Sequence, residues 1–361
     1  ESVLRNDYPK YQVIVVDNNS QNNSMEYIKA WAEGKLDVWV NPNNPLRKLS
    51  FPPVPKPVPY VFYTKEEAEK GGNSKLEENL KENIQNSITT TYPLVFIQTG
   101  HNGGFAFGNN VAIKYTLTKN DFEYIWLLNN DTVIEKDSLK LMVETFKDKS
   151  IGIVGSALLI YDEPNILQVL CGTQKINWIN GGQGKYIYPK EKYTKELQKN
   201  FEIPGYIVGA SMLIRKEVFQ NIGLFDENYF MWAEETDLCF RSFKNGYKMY
   251  CCGSSKVYHK EGASSAQGKT KSLLFRKSKR PSLKRFIITG YLDIRNHVYF
   301  VKKHYGVFYS ILYIALYTPK LLRRIVGILL FDDFKPKRIS LLFKGLWDGL
   351  ISKMGKPEGI E

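Results

Sequence analysis

The sequence predicts an α/β fold with a mostly parallel sheet flanked by helices. Two patterns carry that expectation: short β-branched runs that end in acids or turn formers, and amphipathic stretches alternating with them. A length of 361 residues, 43% of them hydrophobic, is enough for a sizeable core in one large domain or two ordinary ones.

Taken in order, "YQVIVVDNNS" (11–20) reads as a buried parallel strand closed by Asp17, and a helical stretch follows from Met25 to Ala32. "PLVFIQ" (93–98) is the next strand, and "NNVAIKYTLTK" (109–119) has helical spacing with Asn109 placed to cap it. "YIWLL" (124–128), "KDSLKLMVETFK" (136–147) and "IGIVGSALLI" (151–160) repeat strand, helix and strand. Residues 42–92 break this rhythm. Their first part, "NPNNPLRKLSFPPVPKPVPYV", is too rich in proline to supply ladder donors, and their second is charged and partly helical. The stretch reads as an insertion running over the surface. From about Ala266 the chain turns basic and helical, which places a boundary between 265 and 266.

The net charge of +13 is unevenly spread: residues 269–344 hold 18 Lys or Arg against three acids, Asp293, Asp332 and Asp333. Such a region serves nucleic acid, an anionic membrane surface or an anionic substrate, or is merely solvated. No zinc-finger spacing or RNP aromatic motif accompanies it, which argues against nucleic acid. The apolar run "GVFYSILYIALYTP" (306–319) falls short of the ~20 residues that span a bilayer. Lys320, Arg323 and Arg324 then interrupt it, which suits either an interfacial helix or a buried one. Cys171, Cys239, Cys251 and Cys252 are too few for a disulfide framework and read as reduced thiols of a cytosolic protein.

Ligands of parallel sheets bind beyond the carboxyl ends of the strands. Asp17 and Asp131 both stand there, suited to a ribose hydroxyl and a metal-bound diphosphate, or equally to capping the next helix. His259 ends the apolar strand "KVYH", a position that is ordinarily structural. "MWAEETDLCFR" (231–241) opens a helix with Glu234, Glu235 and Asp237, acids that the macrodipole favours there. Asp237 is expected to pair with Arg241 four residues on, and Phe230 and Trp232 to pack on a sugar. In "NGGFAFGNN" (102–110), Gly103 and Gly104 permit close backbone approach to a ligand, but the spacing is not that of a dinucleotide site.

In this order "VVDNNS", "NGGFAFGNN", "LLNNDT", "GASMLIRKEVFQNIGLFDENYFMWAEETDLCFR" (209–241) and "VYHKEGASS" (257–265) resemble the inverting family 2 glycosyltransferases of GT-A fold, above all rhamnosyltransferase-like members. The resemblance covers most of residues 1–265, with weaker echoes in "DIRNHVYFVKKHYG" and "LWDGLISKMG". It implies a catalytic GT-A domain over 1–265, carrying the 42–92 insertion, and a basic helical region over 266–361 that faces a membrane or the acceptor.

The same resemblance implies site roles. "NND" stands in place of a DxD motif, so that Asp131, the neutral ligand Asn129 and His259 would hold Mg²⁺ or Mn²⁺. Asp17, Asn19, Asn102, Gly103, Gly104, Asn110, Asn130, Asp131 and Trp232 would line the nucleotide-sugar pocket. Glu235 would be the general base, with Glu234 the alternative. The implied reaction moves one sugar, rhamnose by closest resemblance, from a nucleotide diphosphate to a saccharide or lipid-linked acceptor. That places the protein in cell-surface polysaccharide synthesis, peripheral on the cytoplasmic face of the membrane. A non-catalytic nucleotide-sugar binder and a basic nucleic-acid-binding protein are the alternatives. Resembling enzymes also carry a strand ahead of the point where this sequence opens, so a gap in the sheet and weak nucleotide binding are expected.

Overall fold

The computed structural model describes residues 1–82, 92–260 and 283–358. Its strands form two sheets. The first joins β1 (Ile14–Asp17), β2 (Tyr60–Thr64) and β3 (Leu94–Gln98) in the order β1-β3-β2, all parallel. The second contains β4 (Tyr124–Leu128), β5 (Thr132–Ile134), β6 (Ile151–Ile160), β7 (Glu163–Leu170), β8 (Asn200–Ile203), β9 (Ser211–Arg215) and β10 (Lys248–His259). Its spine runs β4-β9-β6-β10-β5, with β7 against β6 and β8 against β10.

The α/β class is as expected, but the sheets are mixed rather than mostly parallel. In the second sheet β6–β10 is parallel, while β4–β9, β6–β9, β6–β7, β8–β10 and β5–β10 are antiparallel. The two-residue link between β6 and β7 leaves room only for a hairpin. A register break between Cys252 and Lys256 lets β10 pair with β8 in its first half and with β5 in its second.

Residues 42–92 are not the surface excursion that their prolines suggest. β2 lies inside them, immediately after Pro59, where the N–H groups are free to form a ladder with β3. Val54, Val58, Val61 and Tyr63 are buried in the core of that sheet. The stretch 83–91 lies outside the described residues.

Helices α1 (Ser24–Ala32), α2 (Lys65–Glu69), α3 (Ser74–Glu82), α4 (Phe105–Lys119), α5 (Ser138–Thr145), α6 (Lys216–Ile222) and α7 (Glu234–Lys244) accompany the sheets. α4 starts four residues before Asn109, so Asn109 does not cap it; its amide donates back to the Phe105 carbonyl inside the helix (2.8 Å). Beyond the sheets, α8 (Leu283–Phe286) passes through a π-helical stretch into α9 (Asp293–Tyr305), followed by α10 (Val307–Phe331) and α11 (Lys335–Ile351). These helices share a core with the sheet region: Phe300 and His304 of α9 pack on Phe240 of α7, with ring centroids 5.3 and 4.7 Å away.

α10 buries only one stripe, Ser310, Tyr313, Tyr317, Leu321 and Ile328. Phe308, Ile311, Leu316, Leu322, Val326 and Leu330 remain exposed. The helix is therefore not buried as a whole, and no helix among the described residues is long and apolar enough to cross a membrane.

Cys171 and Cys251 form a disulfide with Cα atoms 5.4 Å apart, against the expectation of four reduced thiols. The two are 80 residues apart and meet only through tertiary packing, which spacing alone could not show. Cys239 and Cys252 are free and buried. β1 and β4 are end strands of their sheets, and among the described residues no strand pairs with their outer edges. Residues 2–4 connect the two cores. Leu4 packs with Met25, Val54 and Phe96, Val3 with Trp126 and Ile134, and the Ile134 amide donates to Ser2 Oγ (3.2 Å).

Candidate active site

Asp131 follows β4, and His259 closes β10 in register with Thr132, so the two strand ends lie side by side. His259 Nε2 is 3.1 Å from Asp131 Oδ1. Its Nδ1 is 2.8 Å from Gln168 Oε1 on β7, which fixes the ring's orientation and leaves Nε2 facing the carboxylate. The His259 contact holds the Asp131 carboxyl below its usual range. Gln168 escaped the sequence reading, since nothing in "NILQVL" marks its glutamine as facing β10.

The base candidates stand at the start of α7. Met231–Ala233 lead into it through two residues of left-handed backbone, Trp232 (φ 72°) and Ala233 (φ 74°). Glu234 is buried, and burial followed by repulsion from Glu235 raises its pKa well above the ordinary carboxyl value. Glu235 is half-buried; burial raises its pKa too, while hydrogen bonding from its own and the Gly209 backbone opposes the rise. One oxygen of each carboxylate, Oε2, is buried with no hydrogen-bond partner among the described residues.

Gly209–Ala210 is the bridge between these groups. Gly209 touches Glu235, and the Ala210 carbonyl accepts from the Asn129 amide (3.1 Å), two residues before Asp131. Glu235 and the Asp131–His259 pair thus share one end of the second sheet. Asn129 is half-buried, its carbonyl accepting from Thr132 Oγ1 (2.6 Å), and Asn130 is exposed.

The first sheet brings its own strand ends to the same segment. Gly104 caps α4 at φ 91°, and the Phe105 amide donates to the Phe230 carbonyl (3.0 Å). A side chain at 104 would collide with that carbonyl, so the glycine is required by the contact between α4 and the 230–235 turn. Asn18, which the sequence reading passed over, organises the loop: its amide donates to the Gly104 carbonyl (2.8 Å) and to Asn102 Oδ1 (3.3 Å). Asn102 Oδ1 also accepts from the Gly104 amide (3.1 Å), and Gly103 is half-buried beside it. Asp17 is buried and accepts from the Ser20 amide (2.9 Å), and Asn19 has left-handed backbone at φ 59°.

Two assignments change. Asn110 is not available to a ligand: it is buried inside α4, donates to the Phe225 carbonyl and Glu227, and accepts from the Phe225 amide (2.8–3.1 Å). Its interior position was hidden by reading the helix start at Asn109. Phe230 is a core residue at 2% exposure, which leaves Trp232, 37% exposed, as the aromatic of that pair able to meet a sugar. Asp237 pairs with Arg241 as expected (2.7 Å), but in the interior, where Lys303 and His304 of α9 also reach it.

Residues 82–279, more than half of the chain, match the family described as "Glycosyltransferase like family 2". The chain belongs to that family. It is 23% identical over 172 residues to the low-salt glycan biosynthesis hexosyltransferase Agl10 of Haloferax volcanii, covering 46% of this chain and 52% of the relative. It is 27% identical over 161 residues to the rhamnosyltransferase WbbL of Escherichia coli, covering 43% and 60%. The chain thus spans about half the length of the relatives it matches. Among solved structures, a mannosyltransferase from Pyrobaculum calidifontis in complex with GDP-Man and Mn²⁺ aligns at TM-score 0.40 and 12% identity, over 96% of this chain and 89% of that one.

Proposed function

We propose that this chain transfers a single sugar, with rhamnose the first donor to test, from a nucleotide diphosphate to a hydroxyl of a saccharide or lipid-linked acceptor, inverting the anomeric carbon. Family membership supports the chemistry. The observation that carries the site is the bridge of Gly209–Ala210 between Glu235 and the Asp131 strand end.

Glu235 is the general base. Its carboxylate is enclosed enough to have a raised pKa yet reaches the site at Gly209, whereas Glu234 is more deeply enclosed. A base whose pKa approaches neutrality removes a hydroxyl proton better than an ordinary carboxylate does. Asp131 and His259 would hold a divalent cation, with Asn129 as a weaker neutral donor. One carboxylate and one imidazole leave positions free for diphosphate oxygens, and the Gln168-oriented ring fits a metal ligand. When bound, the cation would neutralise charge gathering on the departing nucleoside diphosphate. Asp17, Asn19, Asn102, Gly103, Gly104, Asn130 and Trp232 are assigned to the nucleotide-sugar pocket.

The sheet region serves as the catalytic unit and the helices from α8 onward as the membrane-facing unit, resting on the cytoplasmic leaflet where nucleotide sugars are made. The exposed apolar residues of α10, with Lys320 and Arg323 exposed among them, support docking on anionic lipid. Donor binding is tested by titrating a panel of nucleotide diphosphates with and without Mn²⁺. Metal-dependent affinity for one of them, followed by its turnover with an acceptor, is the expected result; no affinity for any would overturn the reading.

A further inference from the structure

The turn that delivers Glu234 and Glu235 is not held by its own helix. α7 has no side-chain cap: Ala233 occupies the cap position, and both it and Trp232 have left-handed backbone, which non-glycine residues rarely adopt. The carbonyls of Met231 and Trp232 point instead at Asn296 of α9. The single Asn296 amide donates one hydrogen bond to each, both of 2.8 Å. Asn296 is fully buried, and its Oδ1 accepts from Arg295 Nε (3.1 Å), which fixes which end of the amide faces the turn. Arg295 in turn donates to the Gly355 carbonyl (2.8 Å), and the Gly355 amide donates to the Asn228 carbonyl (3.0 Å).

The same face of α9 holds the rest of the segment. Asn296, Tyr299, Lys303 and His304 recur at helical spacing, and all four reach residues 226–237. Tyr299 and Lys303 contact Asp226 Oδ2 at 3.1 and 2.7 Å, and Lys303 and His304 contact Asp237 Oδ1 at 2.7 and 2.8 Å. Packing alone would not select two successive carbonyls for one amide. That geometry is suited to stabilising a strained turn against relaxing to ordinary backbone.

From this we infer that Asn296 is a positioning residue: through the Met231 and Trp232 carbonyls, α9 sets the turn that aims Glu235. The inference rests on the assignment of Glu235 as base, but the clamp itself can be read without any reaction. In Asn296→Asp the isosteric carboxylate has no proton to donate and repels both carbonyls. Amide hydrogen exchange of residues 230–237 in the full chain is expected to rise at least tenfold over the wild type, with exchange in β6 and β10 unchanged. Transfer is expected to lose kcat by tenfold or more with the donor KM within about threefold, and its pH profile to shift. Replacing Ala233 by Gly, which adopts the left-handed backbone freely, should recover part of the loss when combined with Asn296→Asp.

Should Asn296→Asp not fold, Asn296→Ser, whose one hydroxyl cannot serve both carbonyls, is read in the same way. Unchanged exchange over 230–237 in a folded variant overturns the clamp, as does loss of protection spread evenly over the molecule. Raised local exchange with kcat unchanged leaves the clamp standing and sinks the Glu235 assignment instead.

Discussion

Gln168 Oε1 lies 2.8 Å from His259 Nδ1, and the opposite ring nitrogen lies 3.1 Å from Asp131. A neutral amide on β7 thereby decides how an imidazole on β10 faces a carboxylate after β4. If that pair holds the cation, the amide tunes it without touching it. Gln168→Leu is expected to weaken Mn²⁺ affinity by roughly 10–100-fold, measured by calorimetric titration, with the melting temperature little changed. Asp131→Ala should abolish the metal dependence of nucleotide binding altogether.

Glu235→Gln should keep nucleotide-sugar binding while transfer falls by roughly 10²–10⁴-fold. Since burial raises the Glu235 pKa, and the base works only when ionised, wild-type transfer should climb with pH through a value above 4.5, and the variant should lack that limb. Glu234 adds a stability effect. Its folded pKa is raised, so the neutral form is the one the fold tolerates, and stability falls as pH rises past 4.5 toward the folded value. Glu234→Gln should therefore melt no lower than wild type at pH 7. If it abolishes transfer while Glu235→Gln does not, the base assignment moves by one residue.

Asp237 behaves oppositely. Despite burial, the His304 hydrogen bond and the Arg241 and Lys303 charges lower its pKa from 3.8 to about 2. Its contribution is present above the unfolded value of 3.8 and is lost as pH falls toward about 2. Asp237→Asn leaves Arg241 and Lys303 without their shared partner and should destabilise the protein at pH 7 by on the order of 3 kcal/mol. Its thermal stability should also depend less on pH below 4 than that of the wild type. Equal melting temperatures at pH 7 would contradict this.

Gly104→Ala places a methyl group against the Phe230 carbonyl at a positive φ. Strain of this kind costs about 1–3 kcal/mol, and relief requires moving the turn before Glu234. The expected result is a lower melting temperature together with a lower kcat; a change in neither would remove Gly104 from the site.

Phe308→Glu combined with Leu330→Glu should abolish sedimentation with phosphatidylglycerol vesicles. Each large apolar side chain withdrawn from water contributes roughly 1.5–3 kcal/mol, and glutamate reverses both that gain and the local charge. Wild-type binding should weaken with added salt and be poor on phosphatidylcholine. Binding that the double variant retains would move the contact elsewhere.

The sequence by itself determined the α/β class, most strand cores and the order of the motifs, because β-branched runs, turn formers and helical periodicity are local properties of the chain. "YIWLL" and "IGIVGSALLI" are strands, and the helix from Glu234 ends at the Asn245–Gly246 stop. The acids at strand ends were legible for the same reason. Local pattern could not reveal partners distant in sequence. The Cys171–Cys251 bond, Gln168 behind His259, Asn18 under the glycine loop and Asn296 behind the Glu235 turn join residues 64 to 91 positions apart and depend on which face of an element turns inward. Nor could proline content show that β2 begins immediately after Pro59, or helical spacing that Asn110 faces Phe225. Those relationships exist only when the sheets and the α9 face are packed together, since a side chain's hydrogen-bond partner is set by the assembled surface it meets and not by its neighbours along the chain.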